Sequence, residues 1–322
     1  MGESHRPDAR RVVVKAHVVR LTANGAKAAA LHLRYIVRDG VEKDGSKGVL
    51  YDAEGPARAE AFEQPRFHEK HQFRFIVSPE DGGELELTDY VRRLMAQVEQ
   101  DLGRRIEWAA VNHHDTDHPH AHIVVRGVDR KGGELRFDRS YIANGLRWRA
   151  QELATEELGP RHEFQMRRAR SQEVTQERFT SLDREIERGS KDNRVALRSL
   201  HRTAPEGQRS TLVGRLEQLE LMRLAMRTSR STWELAEGWQ ARLREMGSRG
   251  DILKQIHTAI RGDPSRYHIV QAGQELPKAG AEGAPVLWGR VASKGLADEL
   301  KGAFYAVLET PTGTAYHVPL DG

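Results

Sequence analysis

The sequence predicts an α+β fold: a central antiparallel sheet flanked by helices, then a helical extension and a small β-rich module. Three observations carry this reading. The runs "IEWAAVNHHD" (106–115) and "HAHIVVRGVD" (120–129) are strand-like and joined by a short turn, which makes an antiparallel hairpin. Upstream, strand-like and helix-like stretches alternate. Beyond about residue 160 the chain becomes polar and rich in Arg and Glu, and later it is punctuated by Gly and Pro.

In order, "VVVKAHVVRLT" (12–22) is β-branched and reads as a strand. Residues 24–40 open with a turn, carry Ala28, Leu31 and Tyr35 at helical spacing, and stop at Gly40. Residues 41–68 read as a long loop, and "HQFRFIVS" (71–78) as a strand. A helix is expected from Thr88 to Gly103, then the hairpin, then a helix from about Ser140 to Leu158 that breaks at Gly159-Pro160. The resulting domains are 10–160, an Arg-rich helical extension over 161–262 with a break at "RTAPEGQRS" (202–210), and a β-rich module over 263–322, expected to be incomplete. The last module ends in a hairpin turned by "PTG".

Composition narrows the function. The 322 residues carry a net charge of +4, mildly basic and mostly through arginine, which suits phosphate contacts but also reads as an ordinary solvated surface. Cysteine is absent, which excludes disulfides, thiolate zinc sites and cysteine nucleophiles and fits a reducing cytoplasm. No stretch approaches the roughly 18 apolar residues of a membrane span, and the first residues lack the apolar core of a secretory signal.

The stretch "HHDTDHPHAH" (113–122) holds five of the fifteen histidines. Alternate strand residues share a face, so His113 and Asp115 point one way on the first strand, as do His120 and His122 on the second. His114 faces away, and His118 sits in the turn beside Pro119. Three neutral imidazoles would leave the full charge of a divalent ion available to a phosphodiester, with positions open for substrate. Asp115 reads as the carboxylate that orients a ligand through its other N–H. A histidine-rich surface turn, a structural metal site and a metal enzyme unrelated to DNA share these residues.

"HHDTDHPHAHIVVRG" resembles the third motif of the HUH-type conjugative relaxases, the class containing plasmid mobilisation proteins and the border endonuclease of Ti plasmids, here the subgroup with a long C-terminal extension. The His-hydrophobic-His element is His120-Ala121-His122, and His113 matches the upstream third ligand. The resemblance implies a sheet carrying these histidines and a tyrosine nucleophile near the end of the first helix. "HLRYIVRDG" (32–40) is similar to that first motif, which makes Tyr35 the candidate nucleophile, although Leu31 and Tyr35 at i, i+4 also suit plain helical packing. A phenol ionises near pH 10, so its attack needs help at neutral pH.

The implied activity is metal-dependent nicking and strand transfer at a plasmid or mobile-element transfer origin, through a 5′-phosphotyrosine. Mg or Mn is the expected ion, with Zn or Ni fitting three-nitrogen ligation. Single-stranded and supercoiled origin DNA, relaxosome accessory proteins, a coupling ATPase and a type IV secretion system are the implied partners. Arg34, Arg38, Arg126, Lys131, Arg136 and Arg139 flank the motifs and are expected to contact phosphates. Trp148 fits helix packing better than base stacking, and His71 stands either near the metal or simply in its strand. A rolling-circle replication initiator of the same class and a non-cleaving DNA-binding accessory protein are the alternatives.

Overall fold

The computed structural model describes residues 8–38, 40–66, 68–116, 118–203, 209–259, 268–271, 288–298, 300 and 303–320. It divides into two compact units. The first comprises Met1–Arg161 with Leu296–Phe304 and Leu320–Gly322; the second comprises His162–Gly295 and Tyr305–Pro319.

The first unit is built on a four-stranded sheet. Its strands are β1 (Val12–Arg20), β2 (His71–Pro79), β3 (Ile106–His113) and β4 (His120–Asp129), in the spatial order β1-β2-β4-β3. All three pairings are antiparallel. Between β1 and β2 come α1 (Ala23–Ile36) and the one-turn α2 (Glu60–Glu63). Helix α3 (Leu87–Leu102) precedes the β3–β4 hairpin, and α4 (Leu146–Leu158) follows it after a π-helical turn at Tyr141–Gly145.

Local chemistry sets these boundaries. The Thr22 hydroxyl caps α1 by accepting from the Gly25 N–H at 3.3 Å. Gly25 is required there, because a Cβ would lie 1.8 Å from the Arg20 carbonyl oxygen. The helix ends at Ile36, four residues before the glycine at which the sequence predicts its stop. Helix α3 stops where expected: Gly103 takes φ 62° and its N–H closes on the Gln100 carbonyl. The long loop expected over 41–68 is not wholly loop, since besides α2 its Tyr51 exchanges backbone hydrogen bonds of 2.8 and 2.7 Å with Ala110 on the outer edge of β3.

The sheet separates two cores. On one face Leu87, Tyr90, Val91, Leu94, Met95 and Val98, spaced to form one side of α3, pack with Phe73, Phe75, Trp108 and Val125. The Tyr90 hydroxyl donates to the Ala150 carbonyl at 2.6 Å, tying α3 to α4. On the other face Leu33 and Ile36 of α1 pack on Ala109, Val111 and Val124. That second core seats α1 against the histidine-bearing ends of β3 and β4.

In the second unit the expected helical stretch contains α5 (Glu163–Glu173), α6 (Ser181–Gly189), α7 (Leu197–Thr203), α8 (Arg209–Leu221) and α9 (Trp239–Ala259). It also holds a three-stranded sheet of β5 (Arg194–Ala196), β6 (Ala225–Ser229) and β7 (Thr232–Leu235), ordered β5-β7-β6, which the sequence reading did not anticipate. Strands of three to five residues are too short to display a period of two. A further sheet contains β8 (His268–Gln271), β9 (Arg290–Asp298), β10 (Ala303–Glu309) and β11 (Thr314–Leu320), with the "PTG" turn joining the last two. Part of the break expected over 202–210, and most of 263–287, lies outside the described residues.

The core of the second unit encloses an ion pair. Arg215 and Asp183 are both fully buried, with Nε to Oδ1 and Nη2 to Oδ2 each at 2.9 Å, and Arg215 also donates to the Val174, Gln176 and Arg178 carbonyls. Such a pair tolerates loss of one partner badly, because the other charge stays behind without water. Arg215→Met is therefore expected to destabilise this unit by about 3–5 kcal/mol in urea denaturation, far more than an exposed Arg→Met change.

Candidate metal and nucleophile site

Strand register assembles the histidines. His113 lies directly opposite His120, and Val111 opposite His122, so alternation places all three imidazoles on the α1 face. Their ring centroids are separated by 4.3 Å (His113–His122), 5.1 Å (His120–His122) and 5.2 Å (His113–His120). One ligand atom from each lies within 4.8 Å of the others, and all three residues are buried.

Backbone carbonyls orient two of the rings. His113 Nε2 sits 2.7 Å from the Ile36 carbonyl, and His120 Nδ1 sits 3.0 Å from the His118 carbonyl. A carbonyl only accepts, so these nitrogens carry the protons. The lone pairs are thereby left on His113 Nδ1 and His120 Nε2, the form that a metal ligand needs. The turn residue His118 thus acts through its main chain. Burial lowers the His113 imidazole to about 4 and pushes His122 well below its ordinary range, with the charges of neighbouring groups adding to the effect at His122. Buried, closely grouped imidazoles, with His113 and His122 held neutral by burial, fit a divalent ion.

Helix α1 delivers the remaining groups. Tyr35 is half-buried next to Ile36, whose carbonyl holds His113. The Arg38 guanidinium lies 4.6 Å from the Tyr35 ring centroid and donates to Asp115 Oδ2 at 2.9 Å. This corrects one expectation. Asp115 engages Arg38, and the acceptor for the proton on His113 is a main-chain oxygen on α1. Sequence spacing could not reveal a carbonyl supplied by a different element.

The flanking cations separate by environment. Arg126 is corrected: it is only 4% exposed, pairs with Glu69 at 2.6 Å and lies over the Phe62 ring, so it braces the loop before β2 and cannot reach DNA. Arg34 makes a two-pronged contact with Glu63 (2.8 and 3.1 Å), and Arg136 pairs with Glu134 at 2.9 Å, both at the surface. Lys131 and Arg139 are exposed. His71 belongs with Phe73 on the face away from the histidines, its Nε2 2.9 Å from the Leu135 carbonyl, and Trp148 is 38% exposed on α4. Two residues were missed. His32 is 2% exposed, one turn before Tyr35, with its ring edge-on to His122 at 6.3 Å. Arg74 is buried on the histidine face of β2, where burial lowers it to about 10, so it remains charged at neutral pH. Helical spacing from Tyr35 and strand alternation from Ile76 were the signals available for each.

Residues 52–157 match the nuclease domain of MobA/VirD2-like relaxases. That segment, about a third of the chain, carries the likeness to the relaxase family. Nicking of DNA is the activity of that domain, and the match takes in all three histidines. The matched segment begins after α1 and leaves Tyr35 outside it. Residues 212–322 match a family of proteins of unknown function, DUF3363. No curated protein and no solved structure matches the chain. No described helix is long and apolar enough to cross a membrane.

Two measurements follow. The fold holds the pKa of His113 below the ordinary 6.5, so the unfolded chain takes up its proton first, and the metal-free protein loses stability as pH falls from about 6.5 toward 4. Urea denaturation across that window should show a steeper decline for the wild type than for His113→Gln; identical slopes would show that His113 titrates normally. His122→Ala should weaken Mn²⁺ or Zn²⁺ binding in titration calorimetry by more than ~100-fold, since disturbing even an outer partner of a ligand costs about 10–100-fold.

Proposed function

We propose that this chain nicks one strand of DNA at a transfer origin through Tyr35 and remains joined to the 5′ phosphate, so initiating conjugative transfer of a plasmid or mobile element. The observation that carries the reading is the hydrogen bond from His113 Nε2 to the Ile36 carbonyl, which fixes the residue next to Tyr35 against the histidine cluster.

In the reaction, Tyr35 Oη attacks the scissile phosphorus. A phosphorus–oxygen bond to the tyrosine forms, the bond to the 3′ oxygen breaks, the phenolic proton is released, and the departing 3′ oxygen takes up a proton. Because the 3′ hydroxyl can attack the phosphotyrosine in turn, the product strand stays transferable and is not hydrolysed. Arg38 positions the Tyr35 ring through its face and is itself held by Asp115. Arg74 supplies a fixed positive charge on the same face of the sheet. His113, His120 and His122 would hold the divalent ion, Mg or Mn in the cell, with Zn or Ni also suited to the three nitrogens. When bound, such an ion polarises the phosphoryl oxygens and stabilises the negative charge that develops on them.

Arg34, Lys131, Arg136 and Arg139 are assigned to phosphate contacts along the strand, the surface pairs of Arg34 with Glu63 and of Arg136 with Glu134 being weak enough for a phosphate to displace. The reading places the protein in the cytoplasm, acting on supercoiled origin DNA with accessory proteins and passing the attached strand to a coupling ATPase and a type IV secretion channel.

The test is direct. Labelled single-stranded origin oligonucleotides incubated with the protein and Mn²⁺ should give a covalent adduct that survives a denaturing gel. Tyr35→Phe should abolish it. An adduct that persists in Tyr35→Phe, or none with any origin strand, would overturn the assignment.

A further inference from the structure

A cavity of about 870 Å³ opens at the end of the sheet where β1 finishes and β2 begins. Arg20, Lys70, Arg136 and Arg139 line it, around an apolar wall that includes Val18 and Phe137. The wall is rigid. Phe137 meets Phe73 edge-on at 4.7 Å, Phe75 at 5.7 Å, and the ring of Tyr141 nearly parallel at 6.1 Å. Val18 is 44% exposed and adds apolar surface at the mouth of the cavity.

The charge is unbalanced. Glu69, the carboxylate lining the cavity, is buried and committed to Arg126 at 2.6 Å and to the Gly127 N–H at 3.0 Å. Among the described residues no carboxylate lies within ion-pair distance of Arg20, Lys70 or Arg139, and all three are exposed. The Arg136–Glu134 pair is open to solvent, where such pairs are worth little. An apolar wall able to take the face of a base, rimmed by cations able to take its flanking phosphates, is the arrangement that holds a single strand without reading its sequence.

This place is not the cleavage site. Val18 pairs with Phe73 and Phe73 with Val125, all on the face opposite the histidines. Val125 is three residues along β4 from His122, roughly 10 Å at the usual rise of a strand. A strand cut at Tyr35 could reach the cavity only several nucleotides from the scissile bond.

We propose that this cavity is a second DNA site, which binds a single-stranded segment several nucleotides from the nick, with a base against Phe137 and Val18 and phosphates on Arg20, Lys70, Arg136 and Arg139. The identity of the ligand as DNA rests on the nicking function proposed above.

The test uses the full chain and short and long poly-dT oligonucleotides, read by fluorescence anisotropy across a salt series. Arg20→Glu/Lys70→Glu should weaken binding of the long oligonucleotide at least ~10-fold and lower its salt slope by roughly 1.4, about 0.7 for each lost phosphate contact on a single strand. The short oligonucleotide, which cannot occupy both sites, should be affected less. Arg242→Glu/Arg249→Glu, the same charge change at exposed positions of the second unit, should leave the long oligonucleotide bound as before. Unchanged affinity in the Arg20/Lys70 variant, or an equal loss in the Arg242/Arg249 control, sinks the proposal. The adduct assay reports separately: an adduct with unchanged poly-dT affinity removes only the second site, whereas lost affinity without an adduct from any origin strand keeps the second site and removes the nicking reading.

Discussion

The hydrogen bond between His113 Nε2 and the Ile36 carbonyl is the contact on which the functional face depends. It joins the last residue of β3 to the last residue of α1, and so connects two segments far apart in sequence. It sets the tautomer of one imidazole and the depth of the helix at once. Because the donor and the acceptor are both buried, leaving either without its partner would cost about 1–3 kcal/mol, which favours a single docking position for α1. The apolar packing of Leu33 and Ile36 on Val111 and Val124 brings the helix to the sheet; the hydrogen bond selects where along the sheet it stops.

From that position the electrostatics follow. Burial keeps His113 and His122 neutral, while Arg38 and Arg74 keep their charge nearby. Cations and uncharged imidazoles on one face make a site that favours an anion. Asp115 is the carboxylate that meets this group, and by accepting from Arg38 it fixes that guanidinium over the Tyr35 ring without neutralising the histidines. The sheet therefore supplies rigidity, and the end of α1 supplies the groups that need orientation.

Much of this face was legible from residue order alone. Alternation along two strands selects His113, His120 and His122, and the observed register His113–His120 places them together as alternation requires. What stayed hidden involves partners set by tertiary packing. The Ile36 carbonyl has no sequence signature as a histidine acceptor. Arg126 reads as a surface cation until Glu69 and Phe62, some sixty residues away, close over it. Strands β5, β6 and β7 exist because Val195, Ala225, Trp233 and Leu235 find a common core with the helices, and no local period announces them. His32 was within reach of helical spacing, but a lone buried histidine carries little signal until His122 is seen beside it.

On the proposed reading, the sheet lets cleavage and strand-holding occupy separate places. Its two faces bury different cores, so a residue and its neighbour in sequence serve opposite sides. His71 and Phe73 belong to the face that bears the cationic cavity, and Arg74, the next residue, belongs to the face that bears the histidines. On the proposed reading, a single strand running along the β1 edge of the sheet, where His17 and Val18 point to opposite faces, would pass from one side to the other without crossing a core. Affinity can then come from cations remote from the reaction. The scissile phosphate need only be placed, and substrate binding need not be strengthened at the bond that must break, which is the condition under which binding energy is useful to catalysis.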